Sequence, residues 1–249
     1  MVDYVLSVVI TFHNENTLAY LTLKSVMAGI RCAEASNVTC ELVTVLDRAT
    51  PETVRIINEF AYEATPRKVV TVDHGDLGLS RNSGISAASG TFVAICDGDD
   101  YYSQNWFLEG TRFLQNISPR LRSITVLHPE YCVSFGAQYC FNRQVGHDES
   151  RPMVGLFSDN WWTSWTLGHR SIYVAVPYLQ NQISLHGVGY EDWSWNCNTI
   201  FSGMIHDIVP RTCGYYRRKS SGLLALSSAT HTLPHFTRLF TRSYLVSET

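Results

Sequence analysis

An α/β fold built on a mostly parallel central sheet is the architecture that this sequence predicts, and three observations predict it. Short apolar runs alternate with helical patterns through the first hundred residues. Spacers of roughly ten to fifteen residues imply right-handed crossovers between parallel strands. Polar and acidic residues follow directly on the apolar runs, as Thr11-Phe12-His13, Asp47 and Asp97-Gly98-Asp99-Asp100. In such sheets ligands bind beyond the carboxyl ends of the strands, so these groups are expected to converge on one crevice.

Each element follows from its local pattern. Val5 to Ile10 is a nearly unbroken apolar run, a strand buried on both faces. Thr11 to Asn16 is a polar loop whose Asn14 and Asn16 are candidate helix caps. Leu23, Val26 and Ile30 follow at helical spacing, and Leu42 to Leu46 is a second strand. Thr50-Pro51-Glu52 starts a helix with a cap residue, Pro in the first turn and an acid beside it. Lys68 to Val72 is a third strand, Leu79 to Ala88 a small-residue helix, and Thr91 to Cys96 the fourth strand. Beyond residue 100 the pattern changes. Ser103 to Leu114 is expected to be helical, 123–145 short strands, 150–170 a long Trp-rich loop, 190–202 a helix, and 205–209 and 212–217 two strands.

Composition narrows the function classes. Of the 249 residues, 45% are hydrophobic and only 16% charged, which suits a globular chain with a buried core. The net charge of −3 carries no basic stripe, so no nucleic-acid partner is expected. No apolar run approaches the roughly 18 residues that a membrane span needs. Met1-Val2-Asp3-Tyr4 lacks a basic leader region, so no signal peptide is expected. The seven Cys include no C-x-x-C pair, which points to free thiols and a cytoplasmic location.

Asp97-Gly98-Asp99-Asp100 is the sharpest chemical feature. Three carboxylates in four residues repel one another unless a cation or protons intervene, and Mg²⁺ or Mn²⁺ commonly bridges such groups to phosphates. A calcium loop is disfavoured, because Tyr101 and Tyr102 stand where it needs an acid or amide and then Gly. The bland reading is an acidic turn before a helix. Glu191-Asp192 is a second acidic pair at a helix start, where capping alone would also explain it. Arg217-Arg218-Lys219-Ser220-Ser221-Gly222 is a basic loop that either closes over a phosphate group or is a solvated turn. Core packing is the default for at least one of Trp161, Trp162 and Trp165. The nine His show no zinc spacing, although His206 is a candidate for a further metal ligand.

Five segments, in order, resemble glycosyltransferase family 2. Ser7-Val8-Val9-Ile10-Thr11-Phe12-His13-Asn14-Glu15 is similar to its opening strand and loop. Glu41 to Asp47 is similar to its second strand, although only Asp47 of the usual Asp-Asp-Gly-Ser is present. Gly78-Leu79-Ser80-Arg81-Asn82-Ser83-Gly84, Asp97-Gly98-Asp99 and Gly189-Tyr190-Glu191-Asp192 resemble its later motifs. The resemblance covers residues 5 to about 225. It implies a GT-A fold, with a Rossmann-like, mostly parallel central sheet flanked by helices and a smaller mixed sheet on the acceptor side. It implies one catalytic domain over 1–249, with 1–100 binding nucleotide, 101–230 binding acceptor and 231–249 as an extension.

The implied activity is inverting transfer from a nucleotide-sugar donor, with uridine the favoured base, to a glycan or glycolipid acceptor, assisted by Mn²⁺ or Mg²⁺. A glycolipid acceptor would bring the chain to the inner face of a membrane. Thr11, His13, Asp47, Arg81, Asp97, Gly98 and Arg218 are the expected nucleotide-sugar contacts, with Asp99 and Asp97 holding the metal. Asp192 is the expected base, with Glu191, Trp162 and Trp165 on the acceptor side. The rivals are a retaining polypeptide N-acetylgalactosaminyltransferase, a sugar-1-phosphate nucleotidylyltransferase and a non-catalytic carbohydrate-binding domain.

Overall fold

Leu6–Phe12 (β1) is buried at every position, because apolar side chains fill both faces of the strand. In the computed structural model, which describes residues 3–62, 65–136, 138–147, 153–219 and 222–240, β1 lies inside the sheet. Helix α1 (Leu18–Glu34) leads from it to β2 (Cys40–Asp47), α2 (Pro51–Glu59) to β3 (Arg67–Val72), and α3 (Leu77–Ala87) to β4 (Phe92–Asp97). These four strands are parallel, in the order β3-β2-β1-β4. The order reverses between β1 and β4, and the crevice of such a sheet opens at that switch point. Side chains alternate across it. Val8, Ile10 and Phe12 pack with Leu23, Val26 and Ile30 of α1, whereas Val9 joins Val43, Val45 and Ile85 on the other face.

Local chemistry sets the helix starts. The Thr50 hydroxyl accepts from the Thr53 N–H at 3.2 Å, with Pro51 at the first turn, as the sequence predicts. The expected Asn cap of α1 is not formed. Asn16 takes a left-handed φ of 51°, and its side-chain oxygen accepts from the Thr50 hydroxyl, tying this loop to α2.

The second half extends the same sheet. It runs through β5 (Tyr101–Tyr102), α4 (Trp106–Asn116), α5 (Pro119–Arg122), β6 (Thr125–Gly136), β7 (Cys140–Arg143), β8 (Thr166–His169), α6 (Arg170–Ala175), α7 (Ile183–His186), β9 (Val188–Gly189), α8 (Glu191–Phe201), β10 (Ile205–Arg218), α9 (Leu223–Ala229) and β11 (Leu233–Pro234). Strand β8 is antiparallel to β4 and β6, and the order continues β8-β6-β10-β5, with β7 on β6. A separate two-stranded sheet pairs β9 with β11.

Three expectations are corrected here. The Trp-rich segment is not all loop, since Thr166–His169 becomes β8; four residues are too few to show a period. The short strands expected in 123–145 are one twelve-residue strand, β6, followed by β7. The two strands expected at 205–217 are one, β10, whose register with β6 shifts between Val209 and Cys213. Pro210 cannot donate to the ladder, and Arg211 adopts φ 62°, so a bulge carries the strand past the proline. In the expected extension, β11 pairs with β9, and Leu239 is buried beside Leu156, Trp162 and Cys197. Residues 241–249 lie outside the described residues. No described helix is long and apolar enough to cross a membrane.

Candidate functional site

A cleft of about 1790 Å³ opens at the carboxyl ends of β1, β2 and β4. Thr11, His13, Asp47, Arg81, Asp97, Gly98, Asp99, Trp162, Glu191, Asp192 and Arg218 all border it. Residues from distant parts of the chain thus share one cavity, larger than a single small ligand requires.

Asp47 ends β2, buried, and its carboxylate accepts four hydrogen bonds, from the backbone N–H groups of His74, Gly75 and Asp76 and from the Ser80 hydroxyl, at 2.7–2.9 Å. Burial pushes its pKa up, but these donors outweigh burial and hold it below the usual value. Asp47 therefore organises the turn into α3, whose own cap is Asp76 accepting from the Leu79 N–H. The exposed His13 ring donates from Nδ1 to the Asp47 carbonyl at 2.6 Å, while Thr11 is buried at the end of β1. Gly98 is required by close packing, since a Cβ there would meet the Thr11 carbonyl oxygen and the Phe12 ring at 2.5 Å.

Arg81 links the two acidic motifs. Only 1% exposed, its guanidinium donates from Nη2 to Asp97 and from Nη1 to Glu191, both at 2.7 Å. Both terminal nitrogens meet protein carboxylates, so Arg81 ties the two acidic motifs together at the cleft. Asn181 supports Glu191 with a 2.9 Å hydrogen bond, and the Ser164 hydroxyl donates to Asp97 at 2.5 Å.

The three acids after β4 differ in environment. Asp99 borders the cleft, and its Oδ2 lies 2.5 Å from Lys219 Nζ. Asp100 is buried and accepts from the Trp165 indole at 2.9 Å and from the Arg217 N–H at 2.7 Å. Burial, then repulsion from Asp99 and Asp97, push the Asp100 pKa well up. Asp100 anchors the end of β10 and offers the cleft little. Arg217 donates from Nε to the Asp99 carbonyl and stacks beside Tyr101 and Phe135. Arg218 lies over Tyr216 at the cleft.

Asp192 sits in the first turn of α8, where the helix dipole favours a carboxylate. Burial acts against the dipole. Together with the neighbouring Glu191 charge, and only partly countered by Arg81, it raises the Asp192 pKa to about 7. Asn160 donates to Asp192 from Nδ2 at 3.1 Å, and Asn196 donates to the Asn160 oxygen at 2.9 Å, which fixes the amide's orientation.

The two tryptophans sit in different surroundings. Trp165 is wholly buried, held by Asp100 and packed edge-on to Tyr102, and so presents no face to an acceptor. Trp162 borders the cleft, but its ring stacks on His128 and its indole N–H donates to the Val145 carbonyl. His206, the candidate for a further ligand, is buried between His128 and Thr199 at 2.9 and 2.8 Å, and burial lowers its pKa to about 3. Among the described residues, no cluster of three or more His, Cys, Asp or Glu could hold a metal ion.

Ser164, Asn160 and Asn181 carry no signal in the sequence, and Glu15 only as part of a motif. Glu15 lies in the β1–α1 loop, where it accepts from the His13 N–H at 2.5 Å. Burial, with Asp99 nearby, raises its pKa despite that bond. Its place in Thr-Phe-His-Asn-Glu, directly after β1, was the available signal.

Residues 7–120 match the sequence model for glycosyl transferase family 2. An uncharacterized glycosyltransferase, EpsJ of Bacillus subtilis (strain 168), is 34% identical over 67 residues, 27% of this chain and 20% of that protein. The fold is similar to S. aureus TarS 1-349 in complex with UDP-GlcNAc, with a TM-score of 0.65 at 15% identity over 88% of this chain and 60% of that one. It is also similar to the mannosyltransferase PcManGT of Pyrobaculum calidifontis in complex with GDP-Man and Mn²⁺, with a TM-score of 0.61 at 14% identity over 90% of this chain and 60% of that one. The chain thus spans about a fifth of the length of the curated relative and 60% of these two structures. The fold is thus similar to GT-A structures, and the match to glycosyl transferase family 2 covers residues 7–120, from β1 through α4, with the acidic motifs gathered on one cleft.

Proposed function

We propose that the chain is an inverting glycosyltransferase that moves a sugar from a nucleotide-diphosphate sugar, with UDP the favoured nucleotide, to a hydroxyl of a glycan or glycolipid. The observation that carries this reading is the pairing of two acidic motifs, Asp97-Asp99 and Glu191-Asp192, on one cleft through Arg81. The family match over residues 7–120 favours it over a nucleotidylyltransferase, and solved structures of the same fold hold UDP-GlcNAc or GDP-Man. Seven cysteines without a disulfide support a cytoplasmic site of action, at the membrane face if the acceptor is a lipid.

The residues present fit a hard divalent cation. Asp97 and Asp99 offer oxygen donors at the cleft, and the Lys219 ammonium already stands against Asp99 as a tethered cation. Mn²⁺ or Mg²⁺ held by Asp99 and Asp97, its other ligands drawn from phosphates and water, would neutralise charge on the leaving diphosphate. Thr11, His13 and Asp47 form the base and ribose end of the cleft, and Arg218 the diphosphate side. Asp192 takes the proton of the attacking hydroxyl, with Asn160 holding its carboxylate and Glu191 held by Arg81 and Asn181. A group with a pKa near 7 suits that task, since close to neutral pH it balances being ionised against being basic enough to accept a proton.

The test is to incubate the protein with UDP- and GDP-sugars, with and without Mn²⁺, and to follow donor hydrolysis and transfer to glycan acceptors. Metal-dependent turnover with inverted anomeric configuration is expected. Retention of configuration would transfer the case to a retaining mechanism, and no turnover of any donor would leave a binding domain.

A further inference from the structure

We propose that Lys219 occupies the cation position at Asp99 in the donor-free protein and passes to the donor's diphosphate when a divalent ion takes Asp99. The inference rests on the reading above, in which Asp99 holds the metal, and adds a competitor for it from the protein's own chain.

Three observations converge on Lys219. Its Nζ lies 2.5 Å from Asp99 Oδ2, on a carboxylate whose side chain is only 17% exposed. The chain just before it is fixed to the same acidic turn, since the Arg217 N–H donates to Asp100 and Arg217 Nε to the Asp99 carbonyl. Lys219 also feels the charges of both Asp99 and Glu15, acids of two different loops that line the same cleft. An ammonium this close to Oδ2 repels a divalent ion approaching the same oxygen. Metal entry therefore requires Lys219 to withdraw. Phosphate oxygens that bind that ion must lie beside Asp99, within reach of a displaced Lys219. One side chain thus opposes the metal when the site lacks donor and assists the diphosphate when the donor is present. Metal and nucleotide binding are coupled as a result, and each must strengthen the other by the same factor.

The test compares wild type, Lys219→Met and Asp99→Asn by calorimetry. Mn²⁺ is titrated into nucleotide-free protein; UDP, with GDP alongside it, is then titrated at saturating Mn²⁺. Lys219→Met keeps the aliphatic stem and loses the charge. It should bind Mn²⁺ more tightly than wild type, by about tenfold, and the preferred nucleotide more weakly by a similar factor, so that the coupling between the two falls. Asp99→Asn should abolish Mn²⁺ binding. If Lys219→Met binds Mn²⁺ as wild type does while Asp99→Asn does not bind it, the competition is overturned and the metal assignment stands. If Asp99→Asn binds Mn²⁺ normally, the metal assignment itself fails, and the inference with it. Tighter Mn²⁺ with unchanged nucleotide affinity would overturn the transfer of Lys219 to the diphosphate.

Discussion

Carboxylates gather at the amino end of β2 and in the acidic motifs of the cleft, and the two places treat them differently. At the amino end, Glu41 of β2 is 1% exposed and matched donor for donor. It accepts from the hydroxyls of Ser7 and Ser89 and from the Ser89 N–H at 2.6–2.8 Å, and pairs with Lys68 at 2.9 Å. Burial pushes its pKa up, but those partners outweigh burial and hold it below the usual value. In the turn after β4 and at the start of α8, Asp100 and Asp192 are pushed up instead, because burial and like charges exceed what their partners return. The first cluster joins strands. The second stores unbalanced charge, which a cation, a proton or a substrate can relieve, and perturbed groups in a cleft mark a site for that reason.

The sharpest way to break this comparison is Asp192→Asn. Donor binding should survive, while transfer falls by about two to four powers of ten, the usual worth of acid–base catalysis. Full transfer by this variant, measured with nucleotide affinity in the same preparation, would remove Asp192 from the chemistry. Arg81→Met probes the tie between the acidic motifs. It leaves Asp97 and Glu191 without their buried partner and should cost about 3–5 kcal/mol in urea unfolding. An unchanged unfolding midpoint would mean that the tie is not structural. Glu41→Gln, at the amino end of β2, should cost about 1–3 kcal/mol by leaving a buried donor unmatched. It should leave nucleotide affinity unchanged, and a loss of affinity would mean that the two places are not independent.

The smallest effect is a slope with pH. The folded pKa of Asp192, about 7, lies above the ordinary 3.8, so its contribution to stability is fully present below the ordinary range and is lost as pH rises through about 7. The raised Asp100 acts in the same direction, whereas Glu41 and Asp47, both lowered, lose their contributions only as pH falls below the ordinary carboxylate range. Melting temperature should therefore decline from about pH 5 to about pH 8, and decline less in Asp192→Asn. Transfer should rise over the same interval as Asp192 ionises. Parallel slopes in stability and rate would contradict the assignment.

The parallel half of the fold is legible in the apolar runs alone. Continuous apolar runs at Leu6–Phe12 and Phe92–Asp97 bury both faces, and Thr50-Pro51 marks a helix start through local hydrogen bonding alone. The sequence also brings Thr11, Asp47 and Asp97 to one cleft, because a residue at the end of a parallel strand must lie at the ligand edge, whereas Asp192, in the first turn of α8, is expected there only from the family resemblance. Tertiary structure decided what each acid and aromatic touches. Arg81 turned to Glu191, 110 positions away, and the indole of Trp165 turned to Asp100, 65 positions away. Four-residue β8 pairs between β4 and β6 without a period of its own. Asp97, Asp99 and Asp100 are the same residue in the same turn, yet one meets Arg81, one Lys219 and one an indole. Periodicity records which face of an element is apolar; partner choice and burial depend on groups brought close only when the sheet closes, and these set the charge that each acid carries.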